Sequence, residues 1–177
     1  MERAPIFLLT GTPGSGKSSV ARALLQRFEF GLHLPVDDLR EFVVSGIAHP
    51  VPTWTEETGR QFRLARTSAT TSAKLYATNG FAVVIDDVIS SEDAAGIFEP
   101  EFAGLEFHKI LLLPRLEVAL ERNRTRTHKG FDTGLLEEPI RGIHAWISTA
   151  KFSDDWLRLD SSDLSLEQTV DAILKSP

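Results

Sequence analysis

"GTPGSGKSS", Gly11–Ser19, follows directly on the apolar run "IFLLT", Ile6–Thr10. Gly11, Gly16, Lys17 and Ser18 satisfy the spacing G-x-x-x-x-G-K-[ST]. Glycines at such spacing let the backbone curl so that successive N–H groups converge on one anion, with no Cβ in the way. A helix opening at Lys17 would add its unsatisfied amides and the positive end of its dipole. The stretch therefore reads as a strand, a phosphate-binding turn and a helix. The turn would hold nucleotide phosphates through Gly11, Thr12, Pro13, Gly14, Ser15, Gly16, Lys17, Ser18 and Ser19. Within that set Lys17 reaches the β- and γ-phosphates, and the Ser18 hydroxyl ligates Mg²⁺.

The rest of the chain fits one α/β domain spanning residues 1–177. Hydrophobic residues make up 42% and charged residues 25%, ordinary for a soluble globular protein. A formal net charge of −6 argues against bulk electrostatic attachment to nucleic acid. The absence of cysteine excludes disulfides, thiolate metal sites and cysteine nucleophiles. The N-terminal apolar run is too short for a signal peptide, and no stretch reaches the roughly 18 apolar residues of a membrane span. These features together suggest a cytoplasmic protein, monomeric or homodimeric.

Strands are expected at Ile6–Thr10, Gly31–Val36, Phe81–Ile85, His108–Leu113 and Trp156–Asp160. Most are nearly continuous in apolar residues, as parallel strands covered on both faces are. Helices are expected at Lys17–Arg27, Asp38–Val44, Thr55–Thr78, Arg115–Arg126, Leu135–Ser148 and Leu166–Lys175. Ser165 with Gln168, and Thr53 with Glu56, have capping-box spacing. The alternation implies right-handed crossovers and a doubly wound sheet, with no repeat or linker. The Pro-rich stretch Ala48–Trp54 is the expected moving loop.

The second strand runs into "LPVDDLREFV". A carboxylate at that strand end lies where ligands bind in an open parallel sheet. Asp37 would accept the proton of an attacking hydroxyl, Asp38 would cap the helix, and Arg40 would hold an anionic or polar part of the acceptor. The third strand delivers "IDDV", with Asp86 assigned to Mg²⁺ and Asp87 to the acceptor. Residues 114–130 carry five basic against two acidic side chains. Arg122 and Arg126 share a helical face there and would close over the phosphates as a lid at about 115–134, with Arg124 on the surface. The acceptor wall is expected at about 38–78. In it Trp54 would stack on a planar substrate and Arg63 would meet the acceptor, although Arg60, Arg63 and Arg66 also read as an exposed basic face. His33 reads as a structural or surface residue, and Trp146 and Trp156 as core.

The stretches "GTPGSGKSS", "VDDLR", "VVIDDV" and "LERNRTR" stand in the order and spacing of the small P-loop kinases. That group includes the shikimate and gluconate kinases, adenylate-kinase-like enzymes, chloramphenicol phosphotransferases and the kinase domain of polynucleotide kinases. The resemblance covers Ile6 to about Arg126, and "LRLDSSDLSLEQTVDAIL" resembles the segment that packs near adenine. It implies ATP and Mg²⁺, a P-loop fold with a five-stranded parallel sheet in the order 2-3-1-4-5 between helical layers, and a helical lid. Segment 45–68 matches no named substrate pocket. The expected activity is transfer of the γ-phosphoryl group to an alcohol hydroxyl of a small molecule (an antibiotic, sugar or metabolite). Two alternatives are a nucleoside or polynucleotide 5′-hydroxyl kinase and an ATP-binding regulator without transfer.

Overall fold

The computed structural model describes residues 3–51, 53–125 and 136–176. Five short strands, β1 (Ile6–Thr10), β2 (Gly31–Pro35), β3 (Ala82–Asp86), β4 (Phe107–Leu112) and β5 (Trp156–Leu159), form one parallel sheet. Their order, β2-β3-β1-β4-β5, is the one expected. Helices α1 (Lys17–Leu25), α2 (Val36–Glu41), α3 (Glu56–Ala77), α4 (Ser91–Ile97), α5 (Leu116–Arg124), α6 (Glu137–Thr149) and α7 (Leu166–Lys175) connect and cover it.

The two-residue period of β1 divides the core. Ile6 and Leu8 face one side, where they join Val83, Ile85, Val36, Phe62 and Phe98. Phe7 and Leu9 face the other, against Val20, Ala21 and Leu24 of α1 and Val170 and Ile173 of α7. With both faces covered, β1 and β3 bury every residue, and for that reason they read as unbroken apolar runs. On α3, Ala65, Ala69, Ala73 and Ala77 recur every fourth position as a buried stripe, so the helix meets the sheet along small side chains.

Several local expectations change. Helix α2 begins at Val36, two residues earlier than Asp38, and its N-cap is Pro35 with no side-chain cap. Asp38 therefore does not cap it; Asp37 and Asp38 both stand in the first turn, where the helix dipole favours carboxylates. The capping box of α3 is Thr55 with Thr58, not Thr53 with Glu56. That of α7 is Ser165 with Gln168, as its spacing predicts. Helix α4 was not expected; Ser90 accepts a hydrogen bond from the Asp93 amide at its start. Trp156 is buried, but Trp146 is 44% exposed and is not a core residue. Arg126, the 126–134 portion of the expected lid and Leu135 lie outside the described residues. Among the described residues, no helix is long and apolar enough to cross a membrane.

Candidate active site

The turn between β1 and α1 is built as its glycines require. Gly11, Gly14 and Gly16 have φ of 149°, 84° and 96°, values that L side chains rarely adopt. A Cβ on Gly11 would lie 2.3 Å from the Leu112 carbonyl oxygen, and one on Gly14 would lie 2.2 Å from that of Ala119. The turn is thus wedged between the end of β4 and α5. Thr12 Oγ1 donates to the Ile140 carbonyl at 3.3 Å and ties it to α6. Lys17 Nζ folds over the turn and donates to the carbonyls of Gly11 (2.8 Å) and Thr12 (3.3 Å). Gly16 is the N-cap of α1 and offers no side chain to its first amides. The Ser15 hydroxyl is buried and makes no hydrogen bond. A glycine-lined turn that opens a helix without a side-chain cap, a buried hydroxyl and a lysine fit a phosphate chain.

Strand register brings the acids to the same edge. Asp86 ends β3 opposite Leu9 of β1 and Pro35 of β2, and Asp37 follows Pro35 by two residues. Ser18 Oγ donates to Asp86 Oδ2 at 2.7 Å. His33 Nε2 lies 3.5 Å from the same oxygen, and this buried ring nitrogen makes no hydrogen bond. Burial pushes the Asp86 carboxyl up, yet His33, the Lys17 charge and the Ser18 hydroxyl outweigh it and hold the pKa below the usual carboxylate value. An ionised carboxylate beside a serine hydroxyl is a donor set for Mg²⁺, an ion that takes its remaining ligands from phosphates and water. His33, read from sequence as structural or surface, thus stands beside the Asp86 carboxylate. Its signal was positional: two residues before the strand end, opposite Val84.

Asp87 stands differently from its neighbour. It is 5% exposed, and Arg66 of α3 grips it, Nε donating to Oδ2 at 2.7 Å and Nη2 to the Val88 carbonyl at 3.2 Å. Asp87 is thus turned onto Arg66, and Arg66 is not part of an exposed basic face. Helical spacing could have shown this, because Arg66 follows the buried Phe62 by one turn. Burial raises the Asp87 pKa despite Arg66, and the charge of Asp37 raises it further. Asp37 itself is exposed.

Because the Asp87 pKa is raised in the fold, its contribution to stability is greatest at acid pH and is lost as pH rises through its native pKa. Arg66→Met removes the cation that opposes this rise. We expect it to cost about 3–5 kcal/mol at pH 7, with a smaller loss near pH 4, where a protonated carboxyl needs no counter-charge. Urea denaturation at the two pH values checks this; equal losses at both would contradict the pairing.

The segment expected to form the acceptor wall is aromatic and cationic. Trp54 is 57% exposed and stacks on Phe62, with ring centres 5.1 Å apart. The Arg40 and Arg66 guanidinium carbons lie 4.8 and 5.5 Å from the centre of the Phe62 ring. Arg60 pairs with Glu57, whose pKa drops to about 2 through Arg60 and then Gln61, while Arg63 is exposed. Gln61, missed in the sequence, fastens the loop before α3 by accepting from the Ala48 amide and donating to the Gly46 carbonyl. On the other flank, Arg122 donates to the carbonyls of Ser15 (3.3 Å) and Ser161 (2.9 Å), bridging the glycine turn to the segment after β5. Arg124 is exposed and paired with Glu137, as expected of a surface residue.

The model of the family described as "Chloramphenicol phosphotransferase-like protein" matches residues 4–151. The chain belongs to that family. This family member is accordingly a P-loop kinase. No curated protein matches its sequence. Its fold recurs in the Mycobacterium tuberculosis APS kinase solved in complex with AMPPNP and APS (TM-score 0.66, 20% identity, 98% of this chain and 97% of that one). It recurs also in a gluconokinase from Sinorhizobium meliloti (0.62, 16%, 98% and 92%). A third case is the Acinetobacter baumannii shikimate kinase in complex with shikimate (0.60, 15%, 97% and 92%).

Proposed function

We propose that the protein transfers the γ-phosphoryl group of ATP, with Mg²⁺, to an alcohol hydroxyl of a small molecule. The observation that carries this reading is the 2.7 Å hydrogen bond from Ser18 Oγ to Asp86. It joins the phosphate-binding turn to an ionised carboxylate at the ligand-binding edge of the sheet. Lys17, the turn amides and the first amides of α1 hold the β- and γ-phosphates. Ser18 and Asp86 hold the metal, with His33 beside the carboxylate. When bound, Mg²⁺ neutralises charge on the phosphates.

Asp37, exposed in the first turn of α2 at the same edge, takes the proton of the acceptor hydroxyl. The hydroxyl oxygen forms a bond to the γ-phosphorus as the bond from that phosphorus to the β–γ bridging oxygen breaks, and ADP leaves with that electron pair. Arg122 steadies the turn from behind, and Arg126 would complete the lid. Trp54, with Arg40 and Arg63, lines the acceptor side. Arg60 and Arg66 are engaged by Glu57 and Asp87, which speaks against a basic groove for a polynucleotide acceptor.

The test is a panel of hydroxyl-bearing metabolites, antibiotics and nucleosides incubated with ATP and Mg²⁺. A mass gain of one phosphoryl group on one acceptor class is expected. ATP hydrolysis with no phosphorylated acceptor across the panel would favour a regulator instead.

A further inference from the structure

Helix α3 is the longest of the described helices, with 22 residues, or about 33 Å at 1.5 Å per residue. Its alanine stripe packs on the sheet, and its opposite face meets solvent. On that face Leu64 and Leu75 are 55% and 61% exposed, with Ser68 and Thr71 exposed between them. Spacings of four, three and four residues set all four in one line along the helix. Ser68 Oγ donates to the Leu64 carbonyl at 2.9 Å, and Thr71 Oγ1 to that of Thr67 at 3.0 Å. Both hydroxyl donors are thus satisfied inside the helix. Beside Leu75, Tyr76 meets Phe81 edge-on at 5.2 Å, and the three enclose, with Asn79, an apolar notch of about 220 Å³.

Two exposed leucines, an uncharged strip between them and an apolar notch at one end form a surface of the kind that marks a protein contact. The line is also self-complementary. Leu64 lies as far before the midpoint of Ser68 and Thr71 as Leu75 lies beyond it. A two-fold axis through that midpoint, perpendicular to α3, therefore sets Leu64 of one copy against Leu75 and the notch of the other, and does so twice. Ser68 then faces Thr71, and side chains that small let antiparallel helix axes approach to about 8 Å. Charge does not oppose the contact. The Glu57–Arg60 pair beside the line is neutral as a unit, and Lys74 at its edge is matched by Glu101. A partner of another kind would require no such symmetry.

We propose that this face of α3 is the interface of a homodimer, in which a second copy packs antiparallel along Leu64, Ser68, Thr71 and Leu75. Phe62 lies on the buried side of the same helix, so the dimer stands apart from the transfer reaction.

Sedimentation equilibrium of the full chain is the test. At micromolar concentration the wild type is expected at twice the chain mass of 19.6 kDa. Ser68→Glu places two like charges beside the axis and should raise the dimer Kd by about 10²-fold or more. Thr71→Arg should do the same by itself. Both positions are exposed, so circular dichroism should show both variants folded, and either serves if the other fails to fold. An equimolar mixture of the two should regain the dimer, because the antiparallel register sets position 68 of one copy against position 71 of the other. A monomeric wild type, or a dimer that both variants leave intact, overturns the interface. A mixture that stays monomeric overturns the antiparallel register.

Discussion

Asp37→Asn is expected to lower kcat by about 10²–10⁴-fold while leaving the affinity for ATP unchanged. Asparagine keeps the size and the hydrogen-bonding reach of the side chain but cannot take a proton. Asp37 is exposed in the first turn of α2, so the substitution disturbs no core. It stands beyond the end of β2, and the nucleotide side is built from Lys17, Ser18 and Asp86 on other elements. Binding and transfer should therefore separate. Single-turnover transfer to the acceptor and a nucleotide titration measure the two halves. Undiminished transfer would remove Asp37 as the base. A parallel loss of ATP binding would mean that the residue serves the nucleotide rather than the acceptor.

Gly14→Ala should have an effect of comparable size through geometry alone. At φ 84° an L side chain is strained by about 1–3 kcal/mol. The added Cβ would also meet the Ala119 carbonyl oxygen at 2.2 Å, closer than real contacts allow. A backbone carbonyl in α5 cannot swing aside as a flexible side-chain tip would, so the turn must move. A shift of about 1 Å in such a cradle costs on the order of 10²-fold, and kcat/KM for ATP should fall at least that far. Gly142→Ala is the control, since a Cβ there has nothing within 4 Å. Near-normal kinetics for Gly14→Ala would show that the turn does not need its present curvature.

The parts of the site that sequence made legible are those fixed by short-range order. Gly11 to Ser18 state their conformation through residue type, and Asp86 is announced by the apolar run that ends on it. The strand order followed from the resemblance to small kinases, and the pairing of the strands bears it out. What stayed hidden depends on long-range register. Two adjacent aspartates look alike in "IDDV", yet one meets Ser18 and the other Arg66, because α3 crosses only one of them. His33 gains its neighbour only once β2 is set against β3. Arg40 is singled out in the sequence by its spacing from Asp37, but its burial emerges only where the loop held by Gln61 packs beside it. The start of α2 was misjudged because Asp at two successive positions suggests a cap, whereas the chain turns helical directly after Pro35.

The most direct test of the central claim is calorimetric titration of the folded wild-type protein with AMPPNP in the presence and absence of Mg²⁺. The turn built from Gly11 to Ser18, with Asp86 beside it, predicts one site per chain, tighter with Mg²⁺ and severely weakened in Gly14→Ala. Well-folded protein that takes up no nucleotide under either condition would contradict the account.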